Sequence, residues 1–211
     1  QWRDCASKTD AEMVDLIRAD NLDVLVDLVG LAGDGRLEVF AMRAAPIQVT
    51  YLGYPNTTGL QRMDYRLTDA VSDVPNTSDG QYTEKLVRLS DGFLCFEPNV
   101  MAADVSPCPG LKGDVLTFGS FNAYQKVTDR CFKLWAQILN EVPNSSIIIK
   151  SKPLNDGALQ EYVWSEFSRY GVASDRVELL GWTDNQKSHL SIYDKVDIHL
   201  DSFPYNGTTT T

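Results

Sequence analysis

The sequence is poor in the residues that build metal sites and disulfide scaffolds. It contains four cysteines and two histidines among 211 residues, with no Cys-x-x-Cys pair and no histidine cluster beside a cysteine. This spacing argues against a zinc site, and so few cysteines in so long a chain argue against a disulfide-stapled domain. The pattern favours a reducing, cytoplasmic setting, which would be nucleocytoplasmic in a eukaryote.

Long apolar runs and an excess of positive charge are also missing. No stretch reaches the length of a membrane-spanning helix, and no signal peptide is visible. Acidic residues outnumber basic ones by 29 to 19, which gives a formal net charge of −10. Such a surface repels phosphate backbones, so we expect neither nucleic acid nor a membrane as a partner. A small phosphorylated ligand still fits, because a few oriented donors hold it against the overall field.

Common nucleotide and hydrolase motifs are absent as well. The sequence has no G-x-x-x-x-G-K-[ST], no G-x-G-x-x-G and no G-x-S-x-G, so kinase, ATPase, dehydrogenase and serine hydrolase functions lack support. It has no D-x-D pair, which removes the usual signal of a metal-held diphosphate. We therefore predict no metal site and no cofactor.

Alternating apolar and polar segments predict an α/β fold. In the first half, they predict strands over 23–30, 47–52 and 65–68 and helices over 10–20, capped by Asp10, and over 37–43. In the second half, strands over 114–120, 146–150, 176–180 and 196–200 alternate with helices over 128–142, 156–170 and 185–195. Four strands separated by three helices predict a parallel, doubly wound sheet.

A proline- and glycine-rich stretch over 97–113 predicts a linker between two domains, 1–105 and 106–211.

The helix over 128–142 is amphipathic. Its predicted buried face consists of Cys131, Leu134, Trp135, Ile138 and Leu139.

Polar residues follow the predicted strands of the second half, where ligands of such sheets bind. After the last strand, Asn206 and Gly207 precede Thr208, Thr209, Thr210 and a final threonine. Glycine permits a close backbone approach and threonine caps helices, so this run predicts a helix N-terminus that binds a phosphate. An ordinary capped helix explains the same residues.

Three further candidates carry similar alternatives. Lys126 lies after a strand that ends in small and polar residues, and it either neutralises a phosphate or is a solvated lysine. His189 lies at the same predicted edge and either contacts a phosphate or ribose or is structural, whereas His199, inside a strand, is expected to be structural. The loop 52–59 is either a sugar or acceptor contact or a turn.

Five blocks of the sequence, in the same order, resemble the O-GlcNAc transferase and SPINDLY family of glycosyltransferases. They are RAAPIQVTYLGYPNTTGLQRMDYRLTD, EKLVRLSDGFLCFEP, TFGSFNAYQKVT, RCFKLWAQILNEVPNS, and His189 and Tyr193 with DIHLDSFPYNGTTTT. The resemblance implies a GT-B fold, made of parts of two Rossmann-like doubly wound domains. It also implies tetratricopeptide repeats in the parent protein. Because the sequence starts at Gln1 and stops inside the threonine run, we expect both ends to be truncated.

The resemblance also assigns roles to matching positions. Lys126 matches the lysine that contacts the β-phosphate and stabilises the leaving nucleoside diphosphate. His189 matches a histidine lining the donor site. The diphosphate-binding helix start matches Asn206, Gly207, Thr208, Thr209 and Thr210, and the loop beside the sugar and acceptor matches Leu52, Gly53 and Pro55.

Two positions depart from the animal enzymes. Thr208 stands where those enzymes have histidine, and Gln186 stands where they have a lysine that stacks on the base. Both departures bring the match closer to bacterial and SPINDLY-type members. The family's candidate catalytic histidines lie upstream of this chain, and its nucleoside-gripping acidic residue lies beyond it, so no general base is assigned.

The implied function is metal-independent, inverting transfer of a sugar from a nucleotide diphosphate to Ser or Thr hydroxyls of proteins. The donor is UDP-GlcNAc or, as in SPINDLY, GDP-fucose. Two alternatives stay open: an inactive nucleotide-sugar-binding module, and a transferase with a glycan or small-molecule acceptor.

Overall fold

A computed structural model describes residues 2–97, 104–111, 113, 115–208 and 210. The chain divides into two compact units, Gln1–Cys95 and Phe96–Thr211. Residues 98–103 and 112 of the linker predicted over 97–113 lie outside the described part, and its described residues include a 3-10 turn, Pro109–Leu111. The predicted boundary after residue 105 stays a prediction.

The first unit is a four-stranded parallel sheet with two helices. The strands are β1 (Val24–Asp27), β2 (Ile47–Thr50), β3 (Tyr65–Asp69) and β4 (Lys85–Leu89), in the order β1-β2-β3-β4. The helices are α1 (Asp10–Ala19) and α2 (Leu37–Ala41). Buried side chains of the two helices form one cluster with two loop residues, Ala44 and Met63; the helix residues are Val14, Val39 and Phe40.

The N-cap of helix α1 lies one residue earlier than predicted, although the helix begins at Asp10 as predicted. Thr9, not Asp10, is the N-cap: its hydroxyl accepts from the backbone N–H of Glu12, and the Glu12 carboxylate accepts from the N–H of Thr9. Asp10 instead forms an ion pair with Arg36. This reciprocal pair satisfies two of the N–H groups that a helix start leaves without partners.

Strand β4 was not predicted. It lies at the edge of the sheet, and none of its five residues is fully buried. A strand of this kind lacks the continuous apolar run that marks a central parallel strand, so hydrophobic pattern does not reveal it.

The second unit is also a four-stranded parallel sheet, as predicted. Its strands are β5 (Leu116–Ser120), β6 (Ser145–Lys150), β7 (Val177–Leu180) and β8 (Ile198–His199), in the order β7-β6-β5-β8. The helices are α3 (Asp129–Glu141), α4 (Gly157–Arg169) and α5 (Gln186–Leu190). Trp135, Leu139, Ile147, Val163 and Phe167 are almost completely buried in its core.

Two details of the second unit differ from prediction. Leu134 is 43% exposed, and the buried face of α3 is completed by Phe132 and Ala136. The helix predicted over 185–195 is two pieces, α5 and a 3-10 turn over Tyr193–Lys195. The break brings Ile192 into a small cluster with Phe121 and Ile148, so packing against the sheet overrides continuous helical hydrogen bonding.

Among the helices of the described residues, none combines the length and the apolar character of a membrane span.

Candidate functional site

The polar loops of the second unit meet at one edge of its sheet. All four strands are parallel, so the loops that follow Ser120, Lys150, Leu180 and His199 lie at the same edge. The strand order reverses direction between β5 and β8, since the chain runs outward through β6 and β7 and then returns to the other side of β5. Open α/β sheets bind ligands at such a point.

The Asp201 carboxylate organises the loop that follows β8. Its Oδ1 accepts hydrogen bonds from the N–H groups of Ser202 at 2.8 Å and Gly207 at 2.7 Å, and from the Asn122 amide at 2.9 Å. Its Oδ2 accepts from the Asn206 amide at 3.1 Å. Burial acts most strongly and raises the pKa of Asp201, but the hydrogen bonds from Gly207, Ser202 and the amides outweigh it, and the net shift is downward. The ionised carboxylate therefore holds the loop closed.

Lys126 reaches the same loop from the other side. It lies in a 3-10 turn after β5, and its Nζ donates to the carbonyl of Asn206 at 2.8 Å and lies 4.3 Å from the centre of the Tyr205 ring. No carboxylate in the described part of the chain forms an ion pair with it. A lysine held by a neutral carbonyl and an aromatic face has no carboxylate to displace before it binds an anion.

The threonine run lies next to Asn122. Thr210 donates from its hydroxyl to the Asn122 amide oxygen at 2.6 Å, and Thr208 lies in a bend. Thr209 and Thr211 are outside the described residues. The predicted helix N-terminus is not seen in the described residues of this run, and the N–H of Gly207 is occupied by Asp201. Phosphate binding by this run stays a prediction.

A cavity of about 700 Å³ lies beside these loops, over the ends of β5, β6 and β7. Two predicted residues, Gln186 and His189, line it, whereas Lys126 does not. Sequence reasoning missed Lys150 and Trp182, which also line it. The other lining residues are Phe121, Asn122, Ala123, Gln125, Ser151, Lys152, Pro153, Thr183, Asp184 and Asn185.

Both histidines belong to a ring cluster under this cavity. The ring of Tyr193 stacks on His199 at 6.3 Å and meets His189 edge-on at 6.0 Å, and Phe121 packs edge-on against Tyr193. The Nε2 of His199 accepts from the N–H of Phe121 at 3.2 Å, while its buried Nδ1 has no partner among the described residues. These contacts hold His199 within the packed ring cluster, and both its expected structural role and the role of His189 stay predictions.

This cluster predicts that the protein loses stability in weak acid. Burial lowers the pKa of His199, and burial followed by the nearby charge of Lys150 lowers that of His189. As the pH falls, the unfolded histidines take up protons near pH 6.5, whereas the folded ones do so only at a lower pH. The free energy of unfolding is therefore highest above pH 6.5 and decreases as the pH drops below it. Urea unfolding at pH 7.5, 6.5 and 5.5 measures the slope. His189→Gln and His199→Gln should each reduce it, and unchanged slopes in both variants would refute this origin.

The predicted loop of the first unit is a rigid turn after β2. Leu52 has a φ of +68°, and a Cβ on Gly53 would lie 2.1 Å from the carbonyl oxygen of Leu28, so only glycine fits there. The buried Arg66 donates to the carbonyl of Tyr54 at 2.8 Å. Pro55 is exposed. Contact of Leu52, Gly53 and Pro55 with a sugar or acceptor stays a prediction.

Comparisons with known proteins agree with these features. The model of glycosyl transferase family 41 matches residues 5–107. The SPINDLY proteins of Hordeum vulgare and Arabidopsis thaliana, both named probable UDP-N-acetylglucosamine–peptide N-acetylglucosaminyltransferases, are 43% and 42% identical to the chain over 210 residues. The chain belongs to the O-GlcNAc transferase and SPINDLY family. These alignments cover 100% of the chain but only 22% and 23% of the two relatives.

A solved structure of a family member confirms the predicted GT-B-type α/β fold class. A Thermobaculum terrenum O-GlcNAc transferase mutant superposes with a TM-score of 0.92 and 38% identity over 99% of the chain. The chain spans 39% of that structure. The resemblance to the family was recognisable from short blocks because five of them occur in the family's order.

Proposed function

We propose that the protein containing this chain transfers a sugar from a nucleoside diphosphate to Ser or Thr hydroxyls of proteins. The observation that carries the proposal is Lys126, a lysine without a carboxylate partner among the described residues, which lies at the edge of the sheet where ligands bind. The relatives' names support UDP-GlcNAc as donor. The likeness to SPINDLY blocks keeps GDP-fucose as the second candidate.

The reaction would be an in-line displacement at the anomeric carbon, which inverts its configuration. The bond to the diphosphate breaks as the hydroxyl oxygen attacks, so negative charge grows on the leaving phosphate. Lys126 would neutralise that charge after releasing the Asn206 carbonyl, and Asp201 would keep the neighbouring N–H groups and hydroxyls in place. We assign no general base to the described residues. Four free cysteines support a reducing, cytoplasmic setting as part of the same proposal.

Transfer should survive chelation of divalent metals. The proposed diphosphate site already has a cationic partner in Lys126, and in the described residues no group of three or more His, Cys, Asp or Glu side chains is placed to hold a metal. We expect the full-length protein to keep its rate in excess EDTA. A rate abolished by EDTA and restored by Mg²⁺ or Mn²⁺ would refute metal-independent transfer.

The proposed function is tested by incubating the full-length protein with UDP-GlcNAc or GDP-fucose and a mixture of protein acceptors, followed by mass spectrometry. We expect one donor to yield hexosamine or deoxyhexose on Ser and Thr side chains. Nucleotide binding without any transfer would favour the inactive module. Transfer to free glycans but not to proteins would favour the other alternative.

A further inference from the structure

Two lysines on the same wall of the cavity differ in their surroundings. Lys150 is the last residue of β6 and is 6% exposed. Lys152, two residues later, is exposed, and its ammonium lies 5.4 Å from the centre of the Trp182 ring. Both line the cavity. Only the first is a buried charge, and so only the first needs an explanation.

The ammonium of Lys150 has no hydrogen-bond acceptor and no carboxylate in ion-pair contact among the residues that the structure describes, and it is not one of the fully buried polar atoms without a partner, so it opens onto the cavity. Burial lowers the pKa of Lys150, and its charge in turn lowers the pKa of His189 on the facing helix. An ammonium that no protein group pairs, carried by a mostly buried side chain in a cavity wall, is placed to donate to a ligand in that cavity. The placement of Lys150 therefore indicates that a ligand supplies the acceptor.

The residues that line the cavity indicate which part of a nucleotide would fit there. Its described lining includes neither Lys126 nor any residue of the loop that Asp201 organises, so the diphosphate site lies beside the cavity rather than in it. The lining does include the indole of Trp182, which is 64% exposed. An open aromatic face suits a flat heterocycle.

We propose that Lys150 donates a hydrogen bond to a ring carbonyl of the donor's nucleobase and so selects bases with an oxo group over those with an amino group. This inference rests on the proposed function. Uracil and guanine present a carbonyl oxygen at O4 and O6, where cytosine and adenine present an amino donor. A lysine has three donors and no acceptor, so it matches the carbonyl and opposes the amino group.

The test is calorimetric binding of UDP, CDP, GDP and ADP to the full-length protein, its Lys150→Met variant and its Lys152→Met variant. We expect the wild type to bind UDP more tightly than CDP, or GDP more tightly than ADP, by about tenfold or more. Lys150→Met should lose most of that preference by weakening the oxo nucleotide about tenfold while barely changing the amino one. Lys152→Met, the matched control, should keep the preference.

Each other outcome has a defined meaning. If the wild type binds none of the four nucleotides, the proposed function fails. If it binds them and Lys150→Met keeps the preference, or weakens all four equally, the base-carbonyl contact is overturned while the function stands. Thermal unfolding without ligand checks the fold, and we expect Lys150→Met to be at least as stable as the wild type because a buried charge is removed. Should it unfold, Lys150→Gln, which keeps an N–H donor, must retain part of the preference.

Discussion

Replacement of Lys126 by alanine should lower kcat by about 10²- to 10³-fold in the full-length protein, the magnitude typical of a lost donor to developing negative charge. The lysine contacts only a neutral carbonyl and a ring in the described structure. Its interaction should strengthen as charge grows on the departing diphosphate, so the loss should appear in kcat more than in KM. Steady-state rates over a range of donor concentrations separate the two.

The control is Lys133→Ala, an exposed lysine on α3 whose loss should leave the rate within about twofold, since surface substitutions rarely matter. A Lys126→Ala variant with a kcat within a few-fold of wild type would remove Lys126 from the leaving-group role. A raised KM with an unchanged kcat would make it a simple binding residue.

Replacement of Asp201 by alanine should lower kcat/KM by on the order of 10²-fold, which corresponds to the loss of one or two charge-assisted hydrogen bonds at about 1.5–3 kcal/mol each. The carboxylate accepts from Ser202, Gly207, Asn122 and Asn206, and it does not line the cavity. Its loss should free the loop that carries the Lys126 acceptor and the threonines. The effect would thus be one of positioning.

A graded series checks this role. Asp201→Asn keeps one oxygen acceptor and should lose less than Asp201→Ala, and Asp175→Ala, an exposed residue ahead of β7, should lose nothing. Hydrogen exchange of the Ser202 and Gly207 amides should speed up in the alanine variant. Unchanged exchange together with unchanged kcat/KM would show that the loop does not depend on Asp201.

The parallel sheet of the second unit was predictable because its strands are short apolar runs separated by amphipathic helices. Ser145–Lys150 reads SSIIIK, and its last four residues are buried. What could not be predicted came from tertiary packing. Leu134 fits the helical period of α3, yet it lies at the margin of the buried face and is 43% exposed. The break after α5 follows from burial of Ile192, which local sequence does not signal.

The same contrast holds at the site. Lys126 and His189 were predicted because each follows a predicted strand on the side where ligands bind, and Gln186 was predicted from the family resemblance; their roles stay predictions. Lys150 satisfies the same rule and closes an apolar strand, so its position was available as a signal and was missed. Asp201 has no such signal, because a carboxylate that accepts from its own loop is recognised only when the loop's donors are seen in space.

The most direct test of the account is a crystal structure of the full-length protein with UDP or GDP. We expect the diphosphate to accept from Lys126 in place of the Asn206 carbonyl, next to Gly207 and Thr210. We also expect the base in the cavity against Trp182, with a ring carbonyl within hydrogen-bond distance of Lys150. A nucleotide bound away from the ends of β5, β6 and β7, with Lys126 still on Asn206, would contradict it.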